Sequence, residues 1–195
     1  GLHLDTLAVR AAVDKTQYGE NSEALFITSS FTQSDCETAA RRFAGEEEGY
    51  IYSRFTNPTV QMMQDRLAAL EGAEACVATA SGMSAILASA MSHLKAGDHI
   101  VCSASVFGAT IQLFSGILKR FGLDSTFVPA TDVAAWQKAL RPNTKMLYVE
   151  TPTNPTLRVT DIAAIAKVAN ERGITLVVDN TFMSPYLQKP IELGA

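Results

Sequence analysis

The sequence predicts an α/β fold, a mostly parallel sheet with helices on both faces, preceded by an N-terminal arm. Three observations lead there. From residue 57 onward, short apolar runs of strand length alternate with segments of helical periodicity. Glycine and proline punctuate the joints between them. Hydrophobic residues make up 47% and charged residues 18% of the 195, which supports a buried core and excludes collagen-like, low-complexity and disordered classes.

Residues 1–50 carry weak periodicity and end in a charged stretch from Arg41 and Arg42 to Glu46, Glu47 and Glu48. They read as an arm followed by a solvated, mobile loop. Asn57 suits a cap and Pro58 a first helical position, while Val60, Met63, Leu67 and Leu70 recur at helical spacing and Gly72 stops the run. A helix follows. Residues 75–78 read as a short buried strand, 79–82 as a turn and 83–94 as a helix of small residues. Next come a strand at 99–103, a helix at 109–121 with Ile111, Phe114, Ile117, Leu118 and Phe121 inward, and a strand at 125–128. A helix around 132–140 precedes a strand at 145–150. Asp161 then caps a helix bearing Ile162, Ile165, Val168 and Ala169, Gly173 closes it, and 174–178 is strand again. Such alternation implies right-handed crossovers and a parallel sheet between helices.

Composition narrows the function. Sixteen basic against twenty acidic residues leave a net charge of −4, without the basic surplus that binding to a phosphate backbone needs. Nucleic acid is therefore not an expected partner. Cys36, Cys76 and Cys102 are odd in number and far apart, so neither a disulfide framework nor a zinc site is expected. Cys76 and Cys102 sit in apolar runs, as small buried hydrophobes do, which points to a reducing compartment. The first fifteen residues lack a basic segment followed by an apolar one, and residues 76–91 are interrupted by Thr, Ser and Gly. A cytoplasmic protein with no membrane partner is expected. His3, His93 and His99 show neither triad nor metal spacing.

In open parallel sheets ligands bind outside the carboxyl ends of the strands, and here those positions are polar. Ser81-Gly82-Met83 opens a helix, whose free N–H groups and dipole favour an anion that Gly82 lets approach. The same turn also serves as a plain structural joint. Asp179 ends an apolar strand where a carboxylate needs a partner, which a cationic heterocycle would supply; a turn or cap role is the alternative. Glu150 and Asn154 flank Pro152 in a loop stiffened by Pro155, which equally fits turn formation alone. Tyr52 and Arg54, two apart in an extended segment, point the same way and can clamp a phosphate, or form an ordinary surface pair.

Together, Tyr52-Ser53-Arg54-Phe55-Thr56-Asn57-Pro58-Thr59, Ser81-Gly82-Met83, Glu150-Thr151-Pro152-Thr153-Asn154-Pro155-Thr156 and Val178-Asp179-Asn180-Thr181 resemble the Cys/Met-metabolism family of pyridoxal-phosphate (PLP) enzymes. That family includes cystathionine γ-synthase, cystathionine β-lyase, methionine γ-lyase and the homoserine-ester sulfhydrylases. The resemblance covers essentially the whole chain. It implies the PLP-dependent transferase fold type I: an N-terminal arm and mobile loop over 1–50, a PLP-binding large domain over 51–195 that is incomplete here, and a C-terminal small domain beyond Ala195.

The resemblance also implies roles. Ser81, Gly82 and Met83 would hold the cofactor phosphate, and Tyr52 and Arg54 would reach the phosphate of a neighbouring subunit's cofactor, in a homo-oligomer of at least two and, in family terms, a homotetramer. Asp179 would keep the pyridine nitrogen protonated, Asn154 would hydrogen-bond the phenolic oxygen and Thr181 would pack beneath the ring. Phe107 stands where the family stacks a tyrosine, and phenylalanine cannot donate or accept a proton. With the Thr16-Gln17-Tyr18-Gly19-Glu20 segment, it resembles the O-succinylhomoserine sulfhydrylase branch. The implied activity is PLP-dependent γ-replacement in methionine biosynthesis, joining sulfide to an activated homoserine ester to give homocysteine. A cystathionine γ-synthase or methionine γ-lyase activity, or a noncatalytic fragment, is the alternative. No catalytic residue is expected within the segment. The Schiff-base lysine would lie beyond Ala195, since Lys145, Lys167 and Lys189 do not match its motif.

Overall fold

A computed structural model describes residues 1–195, in two units that divide after Ala78, where composition suggested a boundary at residue 50. The first unit holds the helices α1 (Leu4–Arg10), α2 (Cys36–Ala44) and α3 (Pro58–Glu71). Helix α3 starts and stops where its signals stand: Asn57 Oδ1 accepts from Thr59 N–H at 2.9 Å, Pro58 occupies the first turn, and Gly72 takes φ 71°. Asn57 is buried and also donates to the Phe26 carbonyl and to Ser53 Oγ, both at 2.9 Å, tying two extended segments to the helix start.

Two expectations for this unit need correction. The charged stretch is not simply a mobile, solvated loop. Arg41 and Arg42 lie within α2, which Asp35 caps by accepting from Thr38 N–H at 2.7 Å. Glu47 folds back to accept from Arg41 Nε at 3.0 Å and Arg42 Nε at 3.1 Å. The Arg41 hydrogen bond holds its carboxyl below the usual range. Residues 75–78 are no strand: Val77 is 81% exposed, and Ala78 N–H donates to a side chain, Gln64 Oε1, at 2.8 Å. An apolar run this short becomes a strand only beside a ladder partner.

The second unit opens with helix α4 (Gly82–His93) and continues as β1 (His99–Ser103), α5 (Gly108–Gln112), β2 (Asp124–Val128), α6 (Val133–Ala139), β3 (Thr144–Glu150), α7 (Ile162–Asn170), β4 (Thr175–Asp179) and α8 (Ser184–Leu187). All four strands pair in parallel, in the order β2-β1-β3-β4. Side chains alternate between two cores. Val101, Leu147 and Val149 join Trp136, Ile162, Ile165 and Ala169 on one face; Ile100, Cys102, Met146 and Tyr148 join Ala90, Phe114 and Leu118 on the other. Helices thus cover both faces. Asp161 caps α7 as its sequence indicates, accepting from Ala164 N–H at 2.9 Å.

The helix expected at 109–121 differs in kind. After α5 it widens to a π-helical turn at Leu113–Ile117 and then tightens to 3-10 at Leu118–Phe121. Phe114 and Leu118 are buried as expected, but Ile117 and Phe121 are exposed and Leu113 takes a buried place. The wide turn takes up more residues per revolution than 3.6 periodicity assumes, so positions beyond it rotate away from their expected face.

At the amino ends of the strands a polar cluster surrounds a buried histidine. His99 is fully buried, with Nδ1 2.8 Å from Thr144 Oγ1 and Nε2 2.9 Å from Thr126 Oγ1. Arg141 donates from its main chain to Thr144 Oγ1 at 2.8 Å and from its guanidinium to Thr126 Oγ1 at 2.9 Å, and pairs with Asp124. Burial, reinforced by the Arg141 charge, lowers the His99 pKa from its ordinary 6.5. An unfolded chain takes up a proton there that the folded one refuses. Stability is therefore full above about pH 6.5 and falls as the pH drops below it. His99→Leu is expected to cost about 1–3 kcal/mol at neutral pH and to flatten that decline, as urea unfolding across the pH range will show.

Candidate functional site

The strand order creates one special place. From β1 the chain crosses to β2 on one side, and β3 then adds on the other, so β1 and β3 flank a topological switch point with a crevice outside their carboxyl ends. A cavity of about 340 Å³ opens there, within the range of small-molecule sites. Ser81, Gly82 and Met83 line it from the start of α4, and Phe107 follows β1. Asn154 lines it from the loop after β3, and Asp179 and Thr181 from the end of β4.

Each side chain is placed by local chemistry. Ser81 caps α4, its Oγ accepting from Ser84 N–H at 3.2 Å. The Ser81 carbonyl accepts from Ala85 N–H. Gly82 and Met83 N–H then have no hydrogen-bond partner within the chain, and a Cβ built on Gly82 would meet nothing within 4 Å. Two donors without an intrahelical acceptor therefore stand at the positive end of a twelve-residue helix, on residues that line the cavity.

Asp179 is anchored on three donors: Thr181 N–H at 3.1 Å and Thr181 Oγ1 at 2.6 Å to Oδ1, and Tyr148 Oη at 3.3 Å to Oδ2. A carboxylate accepts about four hydrogen bonds, so one acceptor direction remains. Neighbouring Asn180 exchanges hydrogen bonds with Gln188, which also reaches the Thr151 carbonyl at 3.1 Å and so links the loops after β4 and β3. Glu150, buried and in register with Asp179, accepts from Phe107 N–H at 2.6 Å and Asn154 N–H at 3.0 Å. Burial pushes its carboxyl up, the two N–H donors pull it back, and the Asp179 charge adds a smaller push upward.

Seven of the nine residues singled out by sequence thus line one cavity. Tyr52 and Arg54 lie in the first unit, bordering another cavity of about 430 Å³. There the Arg54 guanidinium lies 5.5 Å from the Tyr52 ring centre and 4.6 Å from that of Phe55, a cation–π arrangement that presents a fixed positive charge. Sequence reasoning missed Ile86 and Phe182, which also line the first cavity, and Tyr148 beneath Asp179. A signal existed for Tyr148: a tyrosine in a buried strand needs a partner for its hydroxyl, and the same face ends at Glu150.

The cavity combines two main-chain donors, an exposed aromatic ring, the Asp179 carboxylate with a spare acceptor and the Glu150 carboxylate with both oxygens already bonded, and no lysine or arginine lines it. That donor set fits a flat heteroaromatic bearing an anionic arm and a protonated ring nitrogen. PLP has this form. No lysine of the chain is placed to hold its aldehyde.

A family model described as Cys/Met metabolism PLP-dependent enzyme matches residues 5–195. An O-succinylhomoserine sulfhydrylase of Pseudomonas aeruginosa is 54% identical over the whole chain, which covers 48% of that protein. An L-methionine gamma-lyase of Treponema denticola is 44% identical over 96% of the chain, covering 47% of its own length. The crystal structure of metB from Corynebacterium glutamicum superposes with a TM-score of 0.92 at 37% identity, over 100% of this chain and 49% of that one. A Campylobacter jejuni structure described as an O-acetylhomoserine (thiol)-lyase, which carries a pyridoxyl-lysine monophosphate, gives 0.94 at 30% identity, over 100% of this chain and 48% of its own. The chain spans about half the length of the curated relatives it matches.

The open space at Gly82 has a measurable consequence. Gly82→Ala removes backbone freedom from the unfolded chain without a clash in the folded one. It is expected to raise stability by about 0.4–1 kcal/mol, read by urea unfolding without added ligand.

Proposed function

Because the chain belongs to the Cys/Met metabolism family of PLP-dependent enzymes, we propose that it forms part of a PLP-dependent sulfhydrylase that converts an activated homoserine ester and sulfide to homocysteine, in methionine biosynthesis. In that reaction the bond between the γ-carbon and the ester oxygen breaks, succinate leaves as its carboxylate, and a C–S bond forms at the same carbon. The observation that carries the reading is the meeting of the helix α4 N-terminus, Phe107, Asn154 and Asp179 on one cavity at the switch point.

When bound, PLP supplies an electron sink that stabilises carbanions next to the substrate amine. The chain's residues divide the remaining work. Gly82 and Met83 N–H bind the phosphate, with Ser81 holding the turn. Asp179, oriented by its three donors, would hold the proton on the ring nitrogen. Asn154 would hydrogen-bond the phenolic oxygen, and Phe107 and Thr181 would pack against the ring. Tyr52 and Arg54 reach the phosphate in a neighbouring subunit, so the assembly is at least a dimer. Homotetramer is the family-scale reading. The lysine that anchors the cofactor belongs to the part of the relatives' length that this chain does not span. Three free cysteines, two of them at least partly buried, fit a cytoplasmic location.

Phe107 favours replacement over elimination in this reading, because its ring stacks without moving protons. The lyase alternative keeps one observation in its favour, the 44% identity to an L-methionine gamma-lyase.

The test is the absorbance of the full-length subunit with PLP, before and after O-succinylhomoserine and sulfide, with products quantified. A bound-cofactor band, its change on adding the ester, and homocysteine as the main product are expected; 2-oxobutyrate as the main product would make the protein a lyase. Asp179→Ala is expected to lose activity about 100-fold or more while folding normally. Phe107→Tyr is expected to retain the cofactor and to raise the share of 2-oxobutyrate when sulfide is present.

A further inference from the structure

Phe107 is the N-cap residue of α5, with φ −50° and ψ 137°, and no side chain of its own segment caps that helix. Its own N–H is instead bound by Glu150 Oε2, at 2.6 Å, from 43 residues away. In a capping box the carboxylate that takes the N-cap N–H comes from three residues along the same helix. Here it comes from the end of β3, across the switch point. The other oxygen of the same carboxylate takes Asn154 N–H at 3.0 Å.

This arrangement is not the cheapest for the sheet. Glu150 is 7% exposed, and its partner in strand register is another carboxylate, Asp179. Burying one negative charge beside a second costs free energy that an apolar residue would not. What the charge secures is geometry, since a carboxylate offers acceptors on both oxygens. A glutamine of the same shape has one acceptor oxygen, and its NH₂ would confront the second N–H, so it holds one loop and releases the other.

We propose that Glu150 is a positioning residue that fixes the Phe107 ring and the Asn154 amide relative to each other by holding both main chains at the switch point. The inference rests on the PLP reading above. Glu150 lines the cavity, but both of its oxygens are already taken by main-chain N–H groups, so the role assigned to it passes through Phe107 and Asn154.

The test uses the PLP holoenzyme and its Glu150→Gln, Phe107→Ala and doubly substituted forms. PLP dissociation constants come from fluorescence titration, and the circular dichroism induced in the cofactor band reports ring placement. Glu150→Gln is expected to weaken PLP binding about tenfold and to diminish the induced band. In the Phe107→Ala background the same change is expected to cost about threefold or less, because coupled sites are not additive. An unchanged band and affinity in Glu150→Gln, or a full tenfold loss in both backgrounds, would overturn the proposal while leaving the PLP reading intact. A wild type that shows no cofactor band overturns both. Should the amide unfold the subunit, Glu150→Asp keeps the charge and withdraws it by one methylene; the same weakened binding and reduced coupling are then required.

Discussion

The parallel pairing of β1 with β3 at the middle of the sheet is the constraint from which the site follows. With β2 on the far side of β1 and β4 on the far side of β3, the loops after the two central strands must diverge. Glu150 stands at the end of β3 and reaches the loop after β1, bridging the two loops with one buried carboxylate. Two more rim residues are held against this frame: Asp179 by register with Glu150, and Asn154 by the second oxygen of the same side chain.

The cavity's electrostatics are correspondingly one-sided. Two carboxylates meet at its floor, no basic side chain lines it, and positive potential comes from the end of α4. A ligand with opposite charges at its two ends is therefore oriented by the field before any close contact forms. The Tyr148 hydroxyl contributes from below. Burial pushes its pKa up, which favours the protonated hydroxyl that donates to Asp179.

How much of this could be read in the chain depends on the range of the interaction. Local signals were legible: the Asn57, Pro58 and Gly72 set that bounds α3, the Asp161 cap, and the strands whose apolar runs are bounded by turns. Residues after strands were legible as a polar rim for the same reason. Features that need a partner from elsewhere were not. Residues 75–78 have strand-like composition but nothing to pair with in their unit, and the clamp of Glu47 by two arginines depends on a helix end that the charge pattern does not announce. The facing of Ile117 and Phe121 depends on a π-helical turn that no periodicity reveals. The reach of Glu150 to Phe107 requires the strand order itself, which composition and spacing leave open.

The donors at the start of α4 belong to the main chain of Gly82 and Met83, so among side-chain replacements only proline, which lacks the N–H, deletes one while the helix persists. Any other mutation can only crowd them. The recognising groups at the opposite end of the cavity are few side chains on loops after separate strands. A lineage built on this frame therefore holds one half of its site nearly immune to point substitution and concentrates its scope for divergence in the other. Changes of specificity would gather at positions such as Phe107, while the anion-facing turn keeps its donors in the main chain.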